Sequence, residues 1–188
     1  MAHNSEEEGH ALADVLFGDF NPGGRLVDTW PKSMNDLPPM MDYNIRDGRT
    51  YMYFKGEPLY PFGYGLSYTT FKYSNLRISA NTLRANGQVT VSVEVTNTGR
   101  RAGDEVIQLY VQHPESQVAR PIRELKGFKR ITLQPGETRV VKLGLSGESL
   151  AYFDETSGHF VVENKPINIL VGASSADIRL QKSVMVAP

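Results

Sequence analysis

No cysteine occurs in the 188 residues, which excludes a disulfide framework, a thiolate metal site and a thiol nucleophile. It leaves the compartment open, because a chain of this length has room for a core that needs no covalent staple. No apolar run approaches the roughly 18 residues of a membrane span. Charge of one sign is also missing. The 20 lysines and arginines nearly balance the 21 aspartates and glutamates, which argues against a nucleic acid or an anionic membrane as the main partner. The opening Met1-Ala-His-Asn-Ser-Glu-Glu-Glu is acidic where a signal peptide is basic and then apolar. The expectation is either a protein that stays inside or a start that is not the natural one.

Two unlike halves meet at Leu59-Tyr-Pro-Phe-Gly-Tyr-Gly-Leu-Ser-Tyr68. Pro61 fixes one backbone angle, Gly63 and Gly65 are free to take positive φ, and the aromatics supply large flat surfaces. The stretch therefore reads as a turning, packed connector. Upstream of it, Ser5 and Glu8 form a capping-box pattern that predicts a helix over about 5–17, ended by Gly18. Its apolar letters, Ala11, Leu12, Ala13, Val15, Leu16 and Phe17, wrap most of the way round, so it wants cover on more than one side. Asn21-Pro-Gly-Gly24 is a turn, and Arg25 to Pro31 reads as one extended segment. From Lys32 to Lys55 no period is sustained. Pro38-Pro39-Met40-Met41 predicts an extended arm that wraps a neighbour.

After Tyr68 the period becomes two. Val89, Val91, Val93 and Val95 alternate with Thr90, Ser92 and Glu94, placing four β-branched side chains on one face of a strand. Further strands are read at Phe71–Ser79, around Ile107 to Val111, at Leu125–Leu133 with a bulge at Gly127, around Val141 to Leu145, around Ile167 to Val171, and at Ile178–Val186. About seven short alternating strands without an intervening helix predict an antiparallel β-sandwich of immunoglobulin or fibronectin type III kind. The overall fold class is mostly β, with the helix and the aromatic arm ahead of the sandwich.

Chemistry is harder to find. Glycoside cleavage needs two carboxyl groups roughly 5 to 10 Å apart, one with a raised pKa. Asp14, Asp19, Asp28, Asp42, Asp47, Asp104 and Glu105 are scattered over a helix, turns and loops, where aspartates mostly form turns. Asp104-Glu105 is read as a solvated rim at the start of a strand. The histidines at 3, 10, 113 and 159 show no metal spacing. Gly65-Leu-Ser-Tyr-Thr69 fails the nucleophile-elbow pattern, and Gly63-Tyr-Gly65 is too short to cradle phosphate. No cofactor is expected. Arg100, Arg101, Arg120, Arg123, Lys126, Lys129 and Arg130 read first as a solvated basic face, second as a contact for an acidic surface or a polysaccharide. The aromatics at 51, 53, 54, 60, 62, 64 and 68 read first as interdomain packing and second as platforms for sugar rings.

Several long motifs resemble the C-terminal end of glycoside hydrolase family 3 enzymes, the β-glucosidases and β-xylosidases. Glu8 to Leu26 resembles the closing helix and turn of that family's α/β-sandwich domain. Gly48-Arg-Thr-Tyr-Met-Tyr-Phe54 and Pro61-Phe-Gly-Tyr-Gly-Leu-Ser-Tyr-Thr69 resemble its connector, and Thr96 to Val111, Arg120 to Phe128 and Val171 to Ser175 resemble its fibronectin type III-like domain. The resemblance implies three parts: residues 1–31 ending the α/β domain, 32–69 a connector arm, and 70–188 the sandwich. It implies that the nucleophilic aspartate and the acid/base glutamate both lie upstream, so no catalytic residue is assigned here. Arg49, Tyr51, Tyr53, Phe54, Tyr60, Phe62 and Tyr64 are the candidate substrate or interdomain contacts.

The expectation is an accessory, structural domain, inactive alone, whose partners are the catalytic domains of a parent glycosidase that the resemblance places in the periplasm or outside the cell. A polysaccharide-binding module and a small self-sufficient hydrolase are the alternatives. Ala11, Leu12, Val15, Leu16, Phe17 and Trp30 would face water without the parent, which predicts self-association or a disordered N-terminal strap.

Overall fold

A computed structural model describes residues 6–188. The sandwich of strands is present, with ten strands where seven were expected. One layer holds β1 (Phe71–Ile78), β3 (Gln88–Asn97) and β6 (Thr138–Ser146), all antiparallel, with β3 in the middle. The other runs β2 (Thr82–Arg84), β10 (Ile178–Ala187), β9 (Pro166–Gly172), β4 (Gly103–Gln112) and β5 (Glu124–Leu133). The β2 to β10 pairing is its single parallel one. A separate hairpin joins β7 (Tyr152–Asp154) to β8 (His159–Val161). The three extra strands, β2, β7 and β8, have three residues each, too few for a period of two to announce itself. A one-turn helix at Glu148–Leu150 also interrupts the strands, where none was expected.

The expected alternation fills the space between the layers. Val89, Val91, Val93, Val95, Val141 and Leu145 meet Ile107, Leu109, Val111, Ile167, Ile169 and Val171, all essentially buried. The bulge falls where Gly127 predicted it: Leu109 pairs with Gly127 and Tyr110 with Leu125, leaving Lys126 unpaired.

Helix α1 spans Glu8–Phe17 and ends on Gly18 at φ 87°. Ser5, the expected cap, lies outside the described residues. The residue at the cap position is Glu7, with no side-chain cap hydrogen bond. No helix residue is buried. The arm is less extended than expected, because Ser33 and Asp36 close a capping box on a single turn and Asn44 caps a second turn at Ile45–Asp47. No helix among the described residues is long and apolar enough to cross a membrane.

Candidate functional site

The outer face of the five-stranded layer is covered by the upstream half of the chain. Residues 26–30 and 59–64 first pair with each other: Leu26 N donates to Tyr64 O at 2.8 Å, Gly63 N to Leu26 O at 2.8 Å, and Trp30 N to Tyr60 O at 2.9 Å. This two-segment ribbon lies over β4. Tyr51 stacks on Phe62 at 4.4 Å between centroids and meets Tyr110 edge-on at 5.9 Å. Gln108 points out of the same strand and donates to Gly63 O at 3.1 Å and Ala173 O at 2.6 Å, while the Tyr110 hydroxyl donates to its carbonyl. Leu125 N donates to the Tyr51 hydroxyl oxygen at 3.0 Å, Ile122 N to Met52 O at 2.7 Å, and Ser175 N to Phe62 O at 2.9 Å. Burial pushes the Tyr51 and Tyr110 phenols above their ordinary value.

Two polar corners fix this cover. Asn97 is fully buried and satisfied, donating to Arg101 O and Leu133 O and accepting from Thr69 Oγ1 at 2.6 Å and Gly99 N at 3.0 Å. Asn21 donates to Ala102 O and accepts from Ser67 Oγ and Tyr68 N. Tyr68 in turn donates to Val15 O at 2.6 Å, and Arg101 donates to Gly18 O at 2.5 Å, so the helix end is tied to the sandwich.

The Asp104-Glu105 rim is corrected by the structure. Asp104 faces out and pairs with Arg130 and Thr132, but Glu105 is 3% exposed. Its parity is that of Ile107, Leu109 and Val111, which point inward along β4. Tyr73 donates to one carboxylate oxygen at 2.9 Å, and Arg25, just ahead of the ribbon, donates to the other at 3.2 Å while also donating to Gly23 O and Gly24 O. Arg179 lies over the Tyr73 ring at 4.7 Å. Burial pushes the Glu105 carboxyl up, opposed by Arg25, the Tyr73 hydrogen bond and Arg179. Around these groups is a cavity of about 330 Å³.

The basic residues divide: Arg100, Arg101, Lys129 and Arg130 are exposed, as the solvated face first expected, whereas Arg120, Arg123 and Lys126 are drawn inward. Arg120, Arg123 and Arg130 are spent on Leu150 O, Ser175 O and Asp104. Lys126 pairs with Glu124 at 2.6 Å. Beside Arg120, burial and the guanidinium hold the His113 imidazole down at about 4. A histidine depressed on folding favours the folded state while neutral, so that stability is lost as pH falls from 6.5 through about 4. Urea melts across that range should show the wild type losing stability on acidification and His113→Gln losing measurably less.

The candidate contacts divide. Tyr51 and Phe62 are spent on the sandwich. Arg49 folds back on the arm, donating to Pro39 O at 2.6 Å and lying 5.9 Å from the Tyr43 ring. Phe54 lies over Gly56 and lines a cleft with Ile122 and Arg123. Tyr53 lines a separate groove beside the β7–β8 hairpin. Tyr60 and Tyr64, 5.3 Å apart, line a shallow apolar groove of about 730 Å³ with Val15, Leu26, Trp30 and Leu66. Exposed Leu16 and Phe17 belong to the same half of the chain. The strap is thus docked, while Leu12, Leu16, Phe17 and Trp30 face solvent and Val15 is half-buried.

Arg25, Asn97, Glu105 and Gln108 were missed as structural polar groups. A signal existed for Gln108: Val106-Ile-Gln-Leu-Tyr-Val111 is almost continuously apolar, as strands buried on both faces are.

The chain is thus a β-sandwich whose outer face is clad by its own upstream ribbon, with a buried acid held by an arginine and a phenol. Two family models match it: the glycosyl hydrolase family 3 C-terminal domain over residues 1–68 and the fibronectin type III-like domain over 105–175. Between them the two models match most of the chain to the C-terminal region of glycoside hydrolase family 3 proteins. It is 42% identical over 185 residues to a periplasmic beta-glucosidase of Salmonella typhimurium, covering 92% of this chain and 24% of the relative. With a beta-xylosidase of Formosa agariphila the identity is 45% over 171 residues, covering 89% and 24%. Beta-glucosidase 3B from Thermotoga neapolitana superposes with a TM-score of 0.87 at 37% identity, covering 98% of this chain and 27% of that one. The chain spans about a quarter of the length of these relatives.

Proposed function

We propose that this chain braces the catalytic part of a family 3 β-glycosidase acting on β-glucosides or β-xylosides, and holds no reacting group itself. In this reading residues 1–31 complete the neighbouring domain, 32–69 strap it down and 70–188 form the support. The observation that carries it is the contrast between two faces of the upstream half. One is locked to β4 by hydrogen bonds and stacked rings. The other presents Trp30, Tyr60 and Leu66 around an apolar groove that helix α1 joins through Val15, with Leu16 and Phe17 exposed on that helix, the kind of patch that marks a protein interface. Relatives some four times longer supply the mass to cover it.

Purified alone, the chain should give no turnover of aryl β-glucosides or β-xylosides above a blank. It should self-associate with rising concentration in light scattering, and Leu16→Glu with Phe17→Glu should return it to a monomer. Turnover abolished by one carboxylate substitution ends the bracing role, and so does a wild-type chain that stays monomeric throughout.

A further inference from the structure

A groove of about 450 Å³ opens between the arm, the loop 118–121 and the β7–β8 hairpin, and shares no lining residue with the apolar groove beside the helix. Its size falls in the range of small-molecule clefts. Two segments distant in sequence bring aromatic rings to it: Tyr53 from the arm, and Tyr152 and Phe153 from the hairpin. Phe153 is 53% exposed and is steadied edge-on by Phe160 at 5.5 Å. An exposed ring fixed in orientation is a stacking platform.

Between these rings stand charged groups of both signs. Arg46 and Glu155 line the groove, and neither side chain has an ion-pair or hydrogen-bond partner among the described residues. Deeper in the wall the Arg120 side chain is 8% exposed, with its guanidinium 5.2 Å from the Tyr152 ring. Its guanidinium is committed to Leu150 O and His113 and its Nε faces Glu163 at 3.9 Å, so it acts on the groove as a fixed positive charge behind the Tyr152 ring.

We propose that this groove is a binding subsite for a neutral oligosaccharide. A sugar ring presents an apolar C–H face that suits Tyr53 and Phe153, and an edge of hydroxyls that both donate and accept. Arg46 matches the accepting oxygens and Glu155 the donating hydroxyls. The balance of signs disfavours a phosphate or a polyuronate, which the carboxylates would repel. The proposal rests on the groove alone and does not need the bracing role.

The test is a titration of the isotope-labelled 188-residue chain with cellotetraose, xylotetraose and tetragalacturonate, followed by amide shifts. Saturable millimolar binding of at least one neutral tetrasaccharide is expected, with shifts confined to the neighbourhood of Arg46 and Tyr53, to 118–121 and to 152–155. Phe153→Ala and Tyr53→Ala should each weaken it about tenfold, and Phe128→Ala on the exposed face of β5 should leave it unchanged. Thermal melts of Phe153→Ala, an exposed position, check that the fold persists. No saturable shift with either neutral sugar overturns the proposal. So does binding of tetragalacturonate alone, or binding that both aromatic variants retain in full. Aryl glycoside turnover is a separate readout, so a failed titration leaves the bracing role standing.

Discussion

At neutral pH the Arg25→Ala variant is expected to lose about 3 to 5 kcal/mol of stability, the cost of stripping the partner from a buried charge. Glu105 is the charge in question, and both side chains of the pair are nearly inaccessible. With Arg25 gone, Tyr73 remains as a donor and Arg179 as a more distant cation, which together do not replace a guanidinium in contact. The sign of the pH dependence follows from the direction in which burial already moves Glu105. Its folded-state value lies above the ordinary 4.5, so the folded protein binds more protons than the unfolded chain in the interval between them. Stability linked to that proton is complete below 4.5 and is lost as pH rises through the folded value. Removing Arg25 lifts the folded value further and extends the loss to higher pH. Urea melts of Arg25→Ala should therefore show a penalty that shrinks on acidification, and Arg25→Ala with Glu105→Gln should regain much of the loss. A penalty equal at both ends of the range would assign the effect to packing of the arginine stem instead.

Gly63→Ala is expected to cost about 3 kcal/mol, from about 1 to 2 for a side chain in the left-handed region and about 1 to 3 for overpacking. The backbone there sits at φ 80°, and an added Cβ would fall 2.1 Å from Gln108 Oε1. A long amide side chain can often swing aside, but this one is held by Tyr110, Ala173 and Gly63 itself. In a chain of this length the loss corresponds to a fall in Tm of about 6 to 12 °C. Gly136→Ala is the matching control, at φ 76° with nothing within 4 Å of the added carbon. It should cost only the conformational part, about 1 to 2 kcal/mol. Differential scanning calorimetry of the two variants separates strain from collision, and equal shifts would mean that Gln108 moves freely.

Period and parity made the sandwich legible. The valines of β3 repeat every second residue, and the bulge at Gly127 announced itself as a break in alternation. The same parity held information about Glu105, two residues before Ile107 on the inward face, but a charged pair at a strand start reads first as a rim. Partners far apart in sequence leave no local trace. Gly63 and Gln108 are 45 residues apart, and Arg25 and Glu105 are 80 apart, so nothing near either position announces the contact. Among the candidate contacts, aromatic density marked the right stretch without sorting its members. Tyr51 and Phe62 turn to the sandwich, whereas Tyr60 and Tyr64 turn to the open groove.

The cladding of β4 has a practical consequence for where the chain can be trimmed. A gene fragment starting at residue 70 would keep every strand yet uncover Tyr110, Gln108 and Leu170, which face the ribbon rather than the core. Such a product would carry a newly wetted sheet surface and a tendency to precipitate. The smallest autonomous unit therefore begins near Asn21, whose side chain clasps Ala102, Ser67 and Tyr68.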